Sequence, residues 1–247
     1  TRSRGGSQYA QGPRGKKGSK GASAPKRDML NDPTLPNIQE GGLTFTVNFD
    51  DYLDTGIFLD HRVTRGLVRE HAKKARWFLN LFAYTGGATI SAAKAGASVT
   101  HVDASKGMVA WAKENAAASG LADAPIRYLV DDCVKFVERE LRRGNTYDGI
   151  IMDPPSYGRG PKGEIWKIED SIYPFIELTE KLLSDKPLFF LVNSYTTGLQ
   201  PAVLTYMLNT AVARRRGGHV VSSEIGLPVS ANGLVLPCGA SGRWSSL

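Results

Sequence analysis

The feature that most constrains this chain is an alternation. Five short apolar runs, "RWFLNLF" (76–82), "SVTHVD" (98–103), "IRYLV" (126–130), "YDGIIMD" (147–153) and "PLFFLVNS" (187–194), read as buried strands. Between them lie "GATISAAKAGA" (87–97), "SKGMVAWAKENAAASG" (105–120), "DDCVKFVERELRRG" (131–144) and "SIYPFIELTEKLLS" (171–184), which read as helices. Gly120 supplies a stop signal, and the basic end of 131–144 suits the negative pole of a helix dipole. "PAVLTYMLNTAVARRRGG" (201–218) is a further helix, with Pro201 in its first turn. Strands separated by helices run parallel, and a parallel sheet is covered on both faces. Two closing extended runs, "HVVSSEIG" (219–226) and "GLVLPCG" (233–239), have only a loop between them, so the last strand should run antiparallel. The expected class is α/β, a mostly parallel seven-stranded sheet with helices on both faces.

Upstream, "LTFTVNF" (43–49) alternates with period two as a half-buried strand should, and "TGIFLDHR" (55–62) reads as extended. "VTRGLVREHAKK" (63–74) reads as a helix with Val63, Leu67 and Val68 inward. Residues 1–30 are expected to be a basic disordered tail, 31–75 an N-terminal extension and 76–247 the main domain. Residues 1–27 hold eight basic side chains and no acid, leaving 23 basic against 24 acidic side chains in the rest. Such a tail cannot bury enough apolar area to fold alone. It reads either as an arm for RNA phosphates or as a solubilising linker.

Other classes drop away. No apolar stretch approaches the roughly 18 residues of a membrane span, and no signal peptide is visible. Cys133 and Cys238 have no C-x-x-C spacing, which suits thiols in a reducing cytoplasm and argues against a metal site.

The chemistry should sit beyond the C-terminal strand ends, where strand order reverses. The first main strand ends "FLNLFAYTGGAT", with Phe82 and Tyr84 where a dinucleotide fingerprint wants glycines. That argues against NAD, FAD or a P-loop nucleotide. Asp103 ends the next strand, about 20 residues on, where a ribose diol would be gripped. A further acid in "VDDCVKF" ends the third. A glycine turn, a ribose acid and an acid after strand three fit an adenosine without phosphate, and S-adenosylmethionine is such a ligand. Each piece alone has a plainer reading: a Gly-Gly turn, or a helix N-cap.

Taken together, "YLDTGIFLDHR", "FLNLFAYTGG", "VDASKG", "DDC" and "IIMDPPSYGRG" resemble the class I S-adenosylmethionine-dependent methyltransferases of bacterial large-subunit ribosomal RNA. That family contains cytosine-C5 and guanine-N7 enzymes, and the resemblance runs from about residue 51 to 193. It implies a Rossmann-like methyltransferase fold. It also implies that Tyr84, Thr85 and Gly86 line the methionine part of S-adenosylmethionine, that Asp103 holds the ribose with Ser105 nearby, and that Asp132 meets the adenine amino group. Asp153 would lie beside the methionine moiety and the target. Asp60 and Arg62 look like a lid or carboxylate contact, though Arg62 reads equally well as a surface ion pair.

"MDPPSYGRGPKG" then acquires a role. Proline fixes φ, lacks an N–H and holds the preceding residue extended, so Pro154 and Pro155 should form a stiff shelf whose carbonyls have no ladder partners. Asp153 adds an anionic acceptor and Tyr157 a stacking face for a flat ring. Arg159 and Lys162 belong to a flexible basic loop for phosphates. Cytosine C5 would need a thiolate to add to C6. The family's cytosine enzymes carry that cysteine at the end of strand five, where this chain reads "LVNSYTTGL", with Asn193 and Ser194. The expected activity is therefore methylation of a ring or exocyclic nitrogen of a purine in 23S ribosomal RNA. Cytosine-C5 methylation, a small-molecule or protein methyltransferase, and a non-catalytic RNA-binding module on the same fold are the alternatives.

Overall fold

The computed structural model describes residues 36–49, 55–159 and 163–246. The tail expected over 1–30, part of "YLDTGIFLDHR" and Lys162 lie outside the described residues.

A small hairpin comes first, β1 (Asn37–Glu40) against β2 (Leu43–Thr46). A 3-10 turn (Leu59–His61) leads into α1 (Arg62–Ala72). The main alternation follows: β3 (Trp77–Leu81), α2 (Gly87–Lys94), β4 (Ser98–Asp103), α3 (Lys106–Ala118), β5 (Ile126–Val130), α4 (Cys133–Arg143) and β6 (Gly149–Met152). Next come a second hairpin, β7 (Tyr157–Arg159) and β8 (Ile165–Lys167), then α5 (Ile168–Glu180), β9 (Phe189–Ser194) and α6 (Pro201–Leu208). A π turn (Asn209–Ala213) and α7 (Arg214–Arg216) precede β10 (His219–Pro228) and β11 (Val235–Ser245).

Seven strands form one sheet in the order β10-β11-β9-β6-β3-β4-β5, and β11 is antiparallel to both neighbours. The α/β sheet with an antiparallel last strand is thus as the alternation predicts. Side chains alternate between two covered faces. Leu79, Leu81, Ile150, Met152 and Phe190 pack towards α4, α5 and α6. Phe78, Ile151, Phe189 and Leu191 pack towards α1 and α2, against Val68, Ala72, Ala92 and Ala93. The upstream segment docks on the same body through Leu43, Phe45 and Val47, which join Ile90 and Ala116.

Local details differ from the sequence reading for physical reasons. Val63 and Leu67 are exposed; the inward face of α1 is Thr64, Arg65, Val68 and Ala72. The stripe is displaced because Arg65 is held inside by Glu40, at 2.7 and 2.8 Å from its carboxylate oxygens. "FLDHR" is a 3-10 turn and helix start, not an extended piece. The helix read at 171–184 begins three residues earlier, at Ile168. The "GRGPKG" segment (158–163), read as a flexible basic loop, is flanked by paired strands, β7 against β8, on either side of the undescribed 160–162. Among the described residues no helix is long and apolar enough to cross a membrane.

Candidate active site

The strand order reverses between β3 and β6: the chain steps outward through β4 and β5, then returns to the other side of β3. Their C-terminal ends frame a crevice, the usual ligand position in such sheets. Phe82 and Tyr84, the bulky residues at expected glycine positions, both adopt left-handed backbone, with φ of 53° and 50°. Such non-glycine residues store about 1–3 kcal/mol each, and survive where the surroundings over-determine them. The surroundings do so here. The Tyr84 amide donates to Asp103 Oδ2 at 2.8 Å, the Ala83 amide to the Val102 carbonyl at 3.0 Å, and the Phe82 amide to Cys133 Sγ at 3.4 Å. Gly86, at φ 82°, then opens α2, and a Cβ there would lie 2.9 Å from the Ala112 methyl. Thr85 donates its hydroxyl to the Gly56 carbonyl at 2.6 Å, and Asn115 donates to the Thr85 carbonyl at 2.9 Å.

Asp103 ends β4 with each carboxylate oxygen bound by one amide, Tyr84 on one side and Ser105, at 2.8 Å, on the other. Burial pushes its carboxyl above the ordinary range, and those two amides pull part of the way back. Each oxygen keeps a lone pair for a diol. Ser105 also caps α3, accepting from the Met108 amide at 3.4 Å. Asp132 caps α4, its Oδ1 accepting from the Lys135 amide at 2.9 Å. Both caps stand at the ends of neighbouring strands, β4 and β5.

On the β6 side, Asp153 meets a residue that the sequence reading passed over. His61 Nε2 lies 3.1 Å from Asp153 Oδ2 and also contacts the Tyr195 hydroxyl. The Asp60 carboxylate also stands near the same hydroxyl. Burial first, then the charges of Asp153 and Asp60, push the Tyr195 phenol far up, so it keeps its proton. The rings of Phe58, His61, Tyr84 and Tyr195 gather here. Phe58 stands 5.3 Å from Tyr84 and 6.0 Å from Tyr195, and Tyr195 is edge-on to His61 at 5.3 Å. Aromatic faces beside carboxylates favour a cation, so the residues present fit a sulfonium centre. Of the sequence candidates, Tyr84, Thr85 and Asp153 line the crevice together with Phe58, His61 and Asn193. Arg62 is exposed and does not line it, whereas Arg65 does.

One carbonyl of the proline shelf has a side-chain partner: Trp166 donates its indole N–H to Pro155 O at 2.7 Å. The Trp166 ring packs on Phe82 at 5.1 Å and Phe175 at 5.6 Å, fastening the β7–β8 hairpin to the turn after β3. Tyr157 is half-buried and Arg159 exposed on that hairpin. Cys133 is buried, and desolvation raises its thiol well above the ordinary value, so it is no nucleophile. Cys238 lies on β11, its thiol donating to the Leu236 carbonyl at 3.4 Å. Trp166, His61 and Tyr195 left no local signal, since each acquires its role from a partner far away in the chain. Among the described residues no His, Cys, Asp and Glu cluster could hold a metal.

A model of the S-adenosylmethionine-dependent methyltransferase family matches residues 29–205. A ribosomal RNA large subunit methyltransferase K/L from Methylococcus capsulatus is 46% identical over 126 residues, 51% of this chain and 17% of the relative. The protein of that name from Pseudoalteromonas atlantica is 46% identical over 134 residues, 53% of this chain and 18% of the relative. The chain thus spans under a fifth of the length of these curated relatives. A solved S-adenosylmethionine-dependent methyltransferase from Agrobacterium tumefaciens superposes with a TM-score of 0.82 at 35% identity, covering 86% of this chain and 70% of that one.

Proposed function

Because the chain belongs to the S-adenosylmethionine-dependent methyltransferase family, we propose that its acceptor is a base of large-subunit ribosomal RNA, methylated on a ring or exocyclic nitrogen of a purine. The cofactor supplies an activated methyl group on a sulfonium, so the protein's task is chiefly to align a nucleophile with it. Such alignment is worth about 7–11 kcal/mol of a barrier.

The residues divide that task by strand. Tyr84, Thr85 and Gly86 shape the methionine end, Asp103 with Ser105 the ribose, and Asp132 the adenine. Asp153, Pro154, Pro155 and Tyr157 form the acceptor side: a carboxylate facing donor groups of the base edge, a rigid ledge, and a ring on which the withdrawn base stacks. Arg159 and Lys162 serve the phosphates of the bound RNA. A ring nitrogen has a free lone pair and needs no base, while an exocyclic amine gains from Asp153 accepting its hydrogen bond or proton.

The observation that carries this reading is Asp153 at the head of the proline shelf, on the mouth of the cofactor crevice, with Asn193 and Ser194 where a cytosine enzyme would hold its thiol. The ribosomal RNA large subunit methyltransferases among its relatives support the ribosomal substrate. The test is transfer from tritiated S-adenosylmethionine to ribosomal RNA taken from cells lacking the gene, followed by nucleoside analysis. Label in a methylated purine is expected. Label in 5-methylcytidine would refute the nitrogen acceptor, and an absence of label in RNA would refute the substrate class.

A further inference from the structure

We propose that His61 is a positioning residue for methyl transfer, holding the Asp153 carboxylate in the orientation that presents it to the acceptor. The proposal rests on the reading of Asp153 as the acceptor-facing acid, and it adds a residue and a role that this reading does not contain.

Three separate segments converge on one imidazole. His61 ends the 3-10 turn before α1 and is buried, Asp153 follows β6, and Asn193 and Tyr195 come from the end of β9 and just beyond. Nε2 reaches Asp153 Oδ2 at 3.1 Å and the Tyr195 hydroxyl. Nδ1 faces Asn193 Nδ2 at 3.4 Å and Thr64 Oγ1 at 3.5 Å. The Nε2 hydrogen bond is with the Tyr195 hydroxyl, and Asp153 Oδ2 stands at ion-pair distance from the same nitrogen, where a carboxylate, which only accepts, favours a hydrogen on Nε2. Where the Asn193 amide donates, Nδ1 accepts and the hydrogen is left on Nε2, the arrangement by which a histidine is aimed at a partner.

His101 shows what a histidine without such a task looks like in the same protein. It is fully buried in β4, its Nδ1 meets the Thr89 hydroxyl at 2.9 Å, and its Nε2 has no hydrogen-bond partner among the described residues. Desolvation alone drives it down to about 3. It fills space. At His61 both nitrogens face polar groups, and one of them is the acid at the mouth of the crevice.

Asp153 needs a holder. The proline after it restrains its backbone, but its side chain is 28% exposed and rotates about two bonds. Engaging Oδ2 from below leaves Oδ1 for the base edge. Tyr195, protonated and packed edge-on against the imidazole, stops the ring from swinging away.

The test uses the full chain and the ribosomal RNA assay described above. His61→Ala should lower kcat about 100-fold, the scale of an ångström's misplacement, a far larger factor than the weakening of S-adenosylmethionine binding that calorimetry reads in the same variant. His61→Gln, whose side-chain N–H reaches the same oxygen, should recover at least ten-fold of that loss, and added imidazole should revive His61→Ala. Asp153→Asn combined with His61→Gln should be no slower than Asp153→Asn alone, since the one residue acts through the other. Wild-type kcat in His61→Ala, or a double variant falling by the product of the single effects, overturns the proposal. The His61→Gln cycle decides the matter should the alanine variant fail to fold. Full activity in Asp153→Asn would instead refute the underlying role of Asp153, and the two failures are therefore distinguishable.

Discussion

Arg65 and Glu40 meet at two points, Nε to Oε1 at 2.7 Å and Nη2 to Oε2 at 2.8 Å, with both side chains largely shielded from solvent. The same guanidinium donates from Nη1 to the Phe58 carbonyl at 2.8 Å, and it stands 5.7 Å over the Phe45 ring. One residue therefore ties the first hairpin to the turn that carries Phe58 and His61. Removing one partner of a buried pair strands the other charge and costs about 3–5 kcal/mol. Arg65→Ala should lower the melting temperature by several degrees and weaken S-adenosylmethionine binding as well. An unchanged melting temperature would show that the pair is not structural.

Asp103 sets function against stability. Its carboxyl lies above the ordinary value of 3.8 because of burial, so folding favours its protonated form. The sign follows: between the ordinary value and the raised one the folded state takes up a proton, and this group's contribution becomes more favourable as pH falls through that window. Asp103→Asn should therefore lose that acid-side gain, and because its amide nitrogen cannot accept, it also gives up one of the two backbone amide bonds from Tyr84 and Ser105. It should also bind S-adenosylmethionine at least about ten-fold more weakly, through a lost charge-assisted hydrogen bond. Wild-type affinity, measured by calorimetry, would remove Asp103 from the ribose site.

Asp153→Ala should keep its circular dichroism spectrum yet lose methyl transfer by at least about 100-fold if the acid aligns the acceptor, a far larger factor than its loss of cofactor affinity. Unchanged turnover would overturn its role.

Neither thiol should matter for catalysis. Cys133 is buried with its thiol raised well above the ordinary range, and Cys238 belongs to the β10–β11 arm. Cys238→Ser is expected to transfer methyl groups at the wild-type rate. A folded, inactive Cys238→Ser would bring back the cytosine mechanism, because that chemistry alone needs a nucleophilic sulfur.

Trp166 anchors the β7–β8 hairpin on Phe82 and Phe175 and through the Pro155 carbonyl. Trp166→Ala should loosen the Tyr157 segment, raising KM for RNA more than KM for the cofactor and speeding proteolysis within 157–167. Equal effects on both constants would place Trp166 in the core alone.

Much of the fold could be read from the chain because its signals are local. Apolar runs of five or six residues, strand-end acids and a glycine turn each declare themselves within a short window, and β4 and β5 match their sequence runs residue for residue. Long-range pairings were hidden. Nothing in "VTRGLV" shows that Arg65 turns inward, since the reason is a glutamate 25 residues upstream. Nothing in "FLDHR" marks His61 above its neighbours until Asp153 and Tyr195 arrive, the latter 134 residues away. The left-handed Phe82 and Tyr84 are subtler. Side-chain size argued against a glycine-like turn, yet the hydrogen bonds of Asp103, Val102 and Cys133 impose one.

The central claim is that the crevice between β3 and β6 delivers a methyl group to a purine nitrogen presented at Asp153. The most direct measurement is mass-spectrometric mapping of nucleosides in large-subunit ribosomal RNA from cells carrying either the wild-type gene or Asp153→Ala. The account predicts that one methylated purine disappears in the variant while every methylated pyrimidine stays. An identical purine profile in the two strains, or the loss of a methylated cytidine instead, would contradict it.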